Sequence, residues 1–283
     1  GVNNMKFLRR NEESKRSINS NTFLLFITIG LFAAMYIAGM IIFEDKGFAK
    51  PQMFLNLFIS NAGLLVIAVG QTIVMITGGI DISVGSVTAL VCMAVANQME
   101  HHGMNAYMAV LLALFIGVAY GVVQGFLISY LEIQPFIVSL AGLFFGRGLT
   151  SMISTEMISI KNKTFLAWAN YKIYLPIGSY SRRGKFLPAY IYPTVIIALL
   201  IVIIVAVIMK YTKFGREVYA VGGNAQSAMM MGLNVRKTKF KAYLLNGLLA
   251  GCGGFLFCLN SCSGFVEQAK GLEMDAISAS VIG

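Results

Sequence analysis

The sequence predicts an all-α protein: a polytopic bundle of membrane helices forming one domain over residues 1–283. Three observations carry that expectation. Hydrophobic residues make up 57% of the chain and charged residues 12%, with a mean hydropathy of +0.75. A soluble domain carries about 25% charged residues, so this chain has too few to cover a water-facing surface. Apolar runs of the length needed to cross a bilayer, about 20 residues, recur along it. The charges collect in the segments between those runs.

The runs follow in order. The first, 22–43, lies behind a basic N-terminal tail, 1–20, that holds Lys6, Arg9, Arg10, Lys15 and Arg16. It is too long for a signal-peptide core, and no small-residue cleavage site follows it, so it reads as a retained transmembrane helix. The second, 52–77, opens behind Pro51, which suits a first helical turn. The third, 83–99, is short and starts directly after a pair of glycines. The fourth and fifth are 105–130 and 134–152. A polar and aromatic loop, 155–189, separates them from the sixth, 190–210. A basic segment, 211–241, precedes the seventh, 242–263, and an eighth apolar run opens in "DAISASVIG".

The net charge of +10 does not point to nucleic acid, because no basic helix with interleaved aromatics occurs. Basic flanks beside membrane spans account for it better. The tail next to the first span places the N-terminus in the cytoplasm, and alternation puts the basic segment 211–241 on the same side. Cys92, Cys252, Cys258 and Cys262 lie in or beside apolar runs with no histidine near them, and read as free thiols with no metal. Gly247 and Gly251, at GxxxG spacing, form a helix-packing face.

Two segments interrupt the apolar pattern. In "GQTIVMITGGIDISVGS" (70–86), Gly78 and Gly79 permit a break in the backbone just before Asp81. A carboxylate at membrane depth costs about 2.5–3.5 kcal/mol on insertion scales. Broken backbone is tolerated there only when buried in protein or lining a wet cavity. Asp81 or Ser83 can cap the following helix; alternatively Asp81 lines a path and accepts from a solute. Other polar residues within spans are candidates for a path or for helix-to-helix bonding: Asn56, Ser60, Asn61, Gln71, Thr72, Gln124, Ser139 and Asn246. Asn61 and Thr72 share nearly one helix face. Arg147 reaches the outer interface or a carboxylate such as Glu156. The second segment, 213–235, has Gly222 and Gly223, then Asn224 as a helix cap, then a short run with Ala228 and Gly232 on one face and the adaptable Met229, Met230 and Met231. It reads as a docking helix or as a helix lying on the membrane surface.

Taken together, "GQTIVMITGGIDISVGS" (70–86), "IQPFIVSLAGLFFGRGLT" (133–150), "TKFGREVYAVGGNAQSAMMMGLNV" (212–235) and "LEMDAISASVIG" (272–283) resemble the permease subunit of bacterial ABC importers for monosaccharides, the branch that handles ribose, xylose, galactose and galactofuranose. The 133–150 segment is most similar to the galactofuranose type. The resemblance implies a permease fold of about ten transmembrane helices, of which about eight are begun here, so further C-terminal helices are expected beyond Gly283. It implies a multi-pass location in the bacterial cytoplasmic membrane and two such subunits, alike or different, with a path between them. It implies a separate cytoplasmic ATPase that binds ATP and Mg, and an extracytoplasmic sugar-binding protein. The chain itself would bind no cofactor and catalyse no reaction. Carried over by position, the coupling residues are Gly215, Arg216, Gly222, Gly223, Asn224, Ala228 and Gly232. Path or gate candidates are Asn61, Gln71, Thr72, Gly78, Gly79, Asp81, Ser83 and Asn246. A related permease for nucleosides or branched-chain amino acids would share this architecture. An ion-coupled secondary transporter would show paired carboxylates or two broken helices, and the sequence displays one clear break.

Overall fold

The computed structural model describes residue 23 and residues 25–43, 47–180 and 186–282. The N-terminal tail 1–20 lies outside the described residues. The described elements are α1 (Leu25–Ile42), α2 (Pro51–Ile76), α3 (Val84–His101), α4 (Ala106–Ser129), α5 (Pro135–Ile153), β1 (Ile158–Ser159), α6 (Lys163–Ala169), β2 (Ile173–Tyr180), β3 (Phe186–Ile191), α7 (Pro193–Tyr211), α8 (Lys213–Gly223), α9 (Ala225–Met230), α10 (Val235–Ser261), β4 (Ser263–Gly264) and α11 (Leu272–Ile282). Proline occupies the first turn of α2, α5 and α7, where its missing N–H costs nothing. Asn105 and Asn234 cap α4 and α10 by accepting from Tyr107 N and Lys237 N.

Among the described residues, six helices are long and apolar enough to cross a membrane: α1, α2, α4, α5, α7 and α10. Their outward faces carry exposed large apolar side chains such as Phe32, Phe115, Phe144 and Ile203, the reverse of a water-soluble surface. The core sits where α10 crosses α4 and α2. Small residues let the backbones meet: a Cβ on Gly117 would collide with the Gly247 carbonyl, and one on Gly251 would lie 2.5 Å from the Ala113 carbonyl. The predicted packing face on α10 thus has its partner on α4, in Ala113, Gly117 and Gly121.

Two ends of the bundle are distinct. At one, Glu100 Oε1 at the end of α3 accepts from Lys161 N (2.7 Å), Tyr107 meets Trp168 edge-on (4.9 Å between centroids), and Gln52 both donates to and accepts from the Tyr190 backbone. At the other, an Arg236–Glu132 ion pair (2.8 Å) joins α10 to the α4–α5 turn, and α8 and α9 lie beside them.

The structure corrects four sequence expectations. The segment 155–189 is not a plain loop: it holds β1, α6 and β2, and β2 pairs antiparallel with β3, Ile173 opposite Ile191. The seventh helix starts at Val235, not 242, so Arg236, Lys237, Lys239 and Lys241 stand on its first turns, where long stems carry their charges outward. The third run forms a helix, but it is an interior one, with every residue from Val84 to Ala96 buried. Its Gly85, Ser86, Thr88 and Ala89 suit close protein packing better than contact with lipid. Lastly, a second irregular segment is buried in the bundle besides the one at Gly78–Gly79. Beyond α10, Cys262 (φ 49°) turns the chain back, Ser263–Gly264 pair with Ile158–Ser159, and Gly264 rests on the backbone of Cys92 and Met93.

Candidate functional site

The first break begins at the end of α2. Thr77, Gly78 and Gly79 donate their N–H groups back to Val74, Met75 and Val74 carbonyls at 3.0–3.1 Å. Gly78 takes φ +81°, a conformation that L side chains resist, so glycine is required there. The turn re-aims the chain so that Asp81 points inward, 4% exposed.

Asp81 is held from four elements. Its Oδ1 accepts from Ser83 N (2.9 Å) and Ser83 Oγ (2.7 Å), and its Oδ2 accepts from Asn246 Nδ2 on α10 (2.7 Å). Gln124 Nε2 on α4 donates to Ser83 Oγ (2.6 Å). Gln71 on α2 sets its carboxamide against the Asp81 backbone, nitrogen to the carbonyl and oxygen to the N–H, each at 3.1 Å; these partners dictate the amide orientation. Gly142 on α5 leaves room for the Gln124 and Ser83 side chains, since a Cβ there would lie 2.8 Å from Gln124 Nε2. Gln71, Ser83, Gln124 and Asn246 are all buried. Gln71 and Gln124 each stand five residues before the end of their helix, about 8 Å inside it at 1.5 Å per residue.

This arrangement satisfies the carboxylate with donors rather than a counter-charge. It also corrects the capping expectation in detail. Ser83 occupies the N-cap position of α3 without capping it; its hydroxyl donates to Asp81 and accepts from Gln124. Asp81 instead closes a local turn on the N–H two residues ahead. The network keeps two loose ends: Tyr243 Oη and Asn246 Oδ1 are buried without a protein partner, packed against Gly79 and Gly70.

The predicted path residues therefore divide. Gly78, Gly79, Asp81, Ser83, Gln71 and Asn246 come together, with Gln124 among them. Asn61 and Thr72 do not join them. Asn61 is exposed and donates to Leu57 O (2.8 Å), while Thr72 bonds Ala68 O (2.8 Å) and Ser280 Oγ on α11 (3.1 Å). Asn56 accepts from Gln52 Nε2 (2.9 Å), Ser139 donates to Phe136 O (3.1 Å), and Ser60 is exposed.

Arg147 does not pair with Glu156, one of the two expected partners; it bonds backbone carbonyls instead. Its Nη1 donates to the carbonyls of Val266 (2.6 Å) and Gln268 (2.7 Å), holding the second break. Glu273, just beyond that break, accepts from Gly271 N (3.3 Å) and sets its other oxygen against Gly85 at the start of α3. Sequence reasoning missed Glu273. Its one signal was a carboxylate within an apolar run.

The basic-end segment folds as two short helices. Thr212 caps α8, accepting from Gly215 N (3.3 Å), and Asn224 caps α9, accepting from Ser227 N (2.8 Å). Gly215 packs on the Met209 carbonyl at the end of α7, and Gly222 on the Ile76 carbonyl at the end of α2. Ala228 is buried, and Gly232 (φ +83°) turns the chain toward α10. Arg216 and Gly223 face outward, as do Tyr219, Met229, Met230 and Met231.

Comparison with known proteins supplies the frame for these features. Residues 52–283 match the family described as branched-chain amino acid transport system / permease component. The chain is 36% identical over 261 residues to the inner membrane ABC transporter permease protein YjfF of Escherichia coli (strain K12), covering 92% of this chain and 75% of that one. It is 33% identical to the fructose import permease protein FruG of Bifidobacterium longum (strain NCC 2705), covering 89% and 72%. It is 32% identical to the autoinducer 2 import system permease protein LsrC of Yersinia pseudotuberculosis serotype O:1b (strain IP 31758), covering 99% and 71%. No solved structure matches. With the apolar helices and the family match both in hand, the chain belongs to the permease components of ABC transport systems: a multi-pass, non-enzymatic membrane subunit whose ATPase is a separate protein.

Proposed function

We propose that this permease carries a monosaccharide inward across the bacterial cytoplasmic membrane, with its N-terminus in the cytoplasm. Two such subunits, alike or different, enclose the path, and an extracytoplasmic binding protein delivers the sugar. The ATPase binds ATP and Mg; this chain holds no cofactor. The observation that carries the reading is the pair α8–α9: two capped helices between membrane spans that expose Tyr219, Met229, Met230 and Met231, with Met229 lining a groove of about 670 Å³ alongside Glu132, Gln226, Leu233 and Arg236. Exposed, adaptable methionines on a short capped helix suit engagement by another protein. Within this segment Thr212, Gly215 and Asn224 set the helix geometry, and Arg216, Gly223 and Met229 meet the ATPase.

The Asp81 network acts as a gate on the cytoplasmic third of the path. Its carboxylate is buried and bonded, so a sugar hydroxyl reaches it only when α2, α3 and α10 separate. Tyr243 Oη and Asn246 Oδ1, buried without a protein partner, support this, since they offer groups that a sugar hydroxyl can bond once the helices part. The sparse charge within the spans favours a neutral, hydroxylated substrate. That relatives are named for fructose and autoinducer 2 import supports import of a small hydroxylated solute.

The test is reconstitution in vesicles with the ATPase and the binding protein and a panel of labelled monosaccharides. Uptake of one or a few sugars that stops when the ATPase is inactivated is the expected result. Uptake that persists without ATP hydrolysis, or α8–α9 reacting with an impermeant reagent from outside intact cells, would overturn the reading.

A further inference from the structure

Gly222 and the gate are joined by backbone alone. Gly222 is the tenth residue of α8; it is itself exposed and follows directly on the buried Val221. A Cβ placed on it would strike the Ile76 carbonyl oxygen and lie 3.0 Å from the carbonyl carbon and 3.3 Å from Ile76 Cγ2. Ile76 is the last residue of α2. The carbonyls before it, those of Ile73, Val74 and Met75, accept from the N–H groups of Thr77, Gly78 and Gly79. The Ile76 carbonyl instead faces the Gly222 backbone, close enough for a weak Cα–H···O contact.

From Ile76 the chain runs through a fully specified turn to Asp81. Thr77 Oγ1 donates to Val74 O (2.7 Å), Gly78 is fixed at φ +81°, and Gly79 lies under the Tyr243 hydroxyl. Most of the route is packed on its neighbours: Thr77, Gly79, Asp81, Ile82 and Ser83 are buried, while Gly78 and Ile80 face outward. A segment held this tightly moves as a piece rather than by bending, because packed interiors switch between arrangements instead of deforming smoothly. On its other side α8 is tied to α10 through Thr238 Oγ1, which donates to Glu217 Oε2 (3.3 Å).

We propose that Gly222 is a positioning residue for transport: its bare backbone against the Ile76 carbonyl passes movement of α8 to the 77–83 turn and so to the Asp81 network. The proposal rests on the importer reading and names the contact through which that machine would work. It gives Gly222, an exposed residue whose would-be Cβ points at the Ile76 carbonyl, a role beyond gripping the ATPase, and the ATPase-retention readout below separates the two.

The experiment uses the reconstituted importer with Gly222→Ala and Gly222→Val. Gly148→Ala serves as reference, a helical glycine with open space around it. Three quantities are read: ATPase retained on the permease, ATP hydrolysis, and sugar uptake. The expected result is retained ATPase and continuing hydrolysis with uptake per ATP lowered about tenfold in the alanine variant and further in the valine variant. Adding Ile76→Ala should not restore Gly222→Ala, since the collision is with backbone. Uptake per ATP equal to that of Gly148→Ala, rescue by Ile76→Ala, or loss of ATPase binding in step with uptake would each overturn the proposal. A second measurement leaves Gly222 intact: spin labels at the exposed Tyr219 and Ile80 in a Cys252→Ser, Cys262→Ser background. Their separation should hold within about 2 Å between nucleotide-free and ATP-bound states, and a change above about 5 Å would break the link. Wild-type uptake in the same vesicles reports on the importer reading itself, so the two ideas fail separately.

Discussion

Asn246 Nδ2 donates to Asp81 Oδ2 at 2.7 Å, across 165 residues of sequence. That bond ties the centre of α10 to the turn between α2 and α3, and it is the contact from α10 that answers the Asp81 charge.

Replacing Asn246 by leucine removes that donor and leaves a buried carboxylate oxygen unpaired. The expected cost is about 2–3 kcal/mol of stability. Asn246→Asp should cost more, because it sets two carboxylates side by side. Thermal unfolding in detergent checks both. A leucine variant as stable as wild type would mean that Asp81 finds another donor.

At the α4–α10 crossing, Gly247→Val would force two backbones apart. A loss of at least about 2 kcal/mol is expected, with poor recovery of folded protein. Gly148→Ala should stay within about 0.5 kcal/mol of wild type. The same unfolding assay separates the two.

Arg147→Met should free the segment between β4 and α11 without unfolding the bundle, since the guanidinium holds the Val266 and Gln268 carbonyls. Hydrogen exchange read by mass spectrometry should show faster exchange over 263–271, while α4 and α10 remain protected. Arg147→Lys should restore part of the protection, because an ammonium lacks the planar fork.

Asn224→Ala removes the cap of α9. The expected loss is about 1 kcal/mol, concentrated in a helix of only six residues. Far-UV measurements on the whole chain would miss it. Binding of the ATPase to the permease should weaken, and Asn224→Ser should recover most of it.

The turn at Gly78, the cap at Asn224 and the packing glycines of α10 were legible in the chain because each is a local requirement: a positive φ, a side chain reaching N–H groups two or three residues on, a face of small residues. The start of α10 was not legible. Four basic residues within seven positions mask a helix whose stems carry those charges outward. The second break, 262–271, carries a Gly264 just past the seventh apolar run, and nothing in its neighbours signals its contact with Cys92 and Met93. Arg147 offered no signal for its partners, since backbone carbonyls have no letter in a sequence.

By itself the sequence determined that this chain lives in lipid, which runs are apolar enough to be helices there, that the backbone breaks at Gly78–Gly79, and that a distinct glycine- and methionine-bearing segment stands between membrane spans. Only the tertiary structure decided that α3 is interior, that Gln71, Gln124 and Asn246 converge on Asp81 while Asn61 and Thr72 do not, and that Gly222 rests on the end of α2. The reason is physical. In water, the alternation of polar and apolar residues reports which face is buried. In a bilayer both the lipid-facing and the protein-facing sides are apolar, so periodicity falls silent, and contact between helices is set by the fit of small residues and by hydrogen bonds that form only once the helices meet.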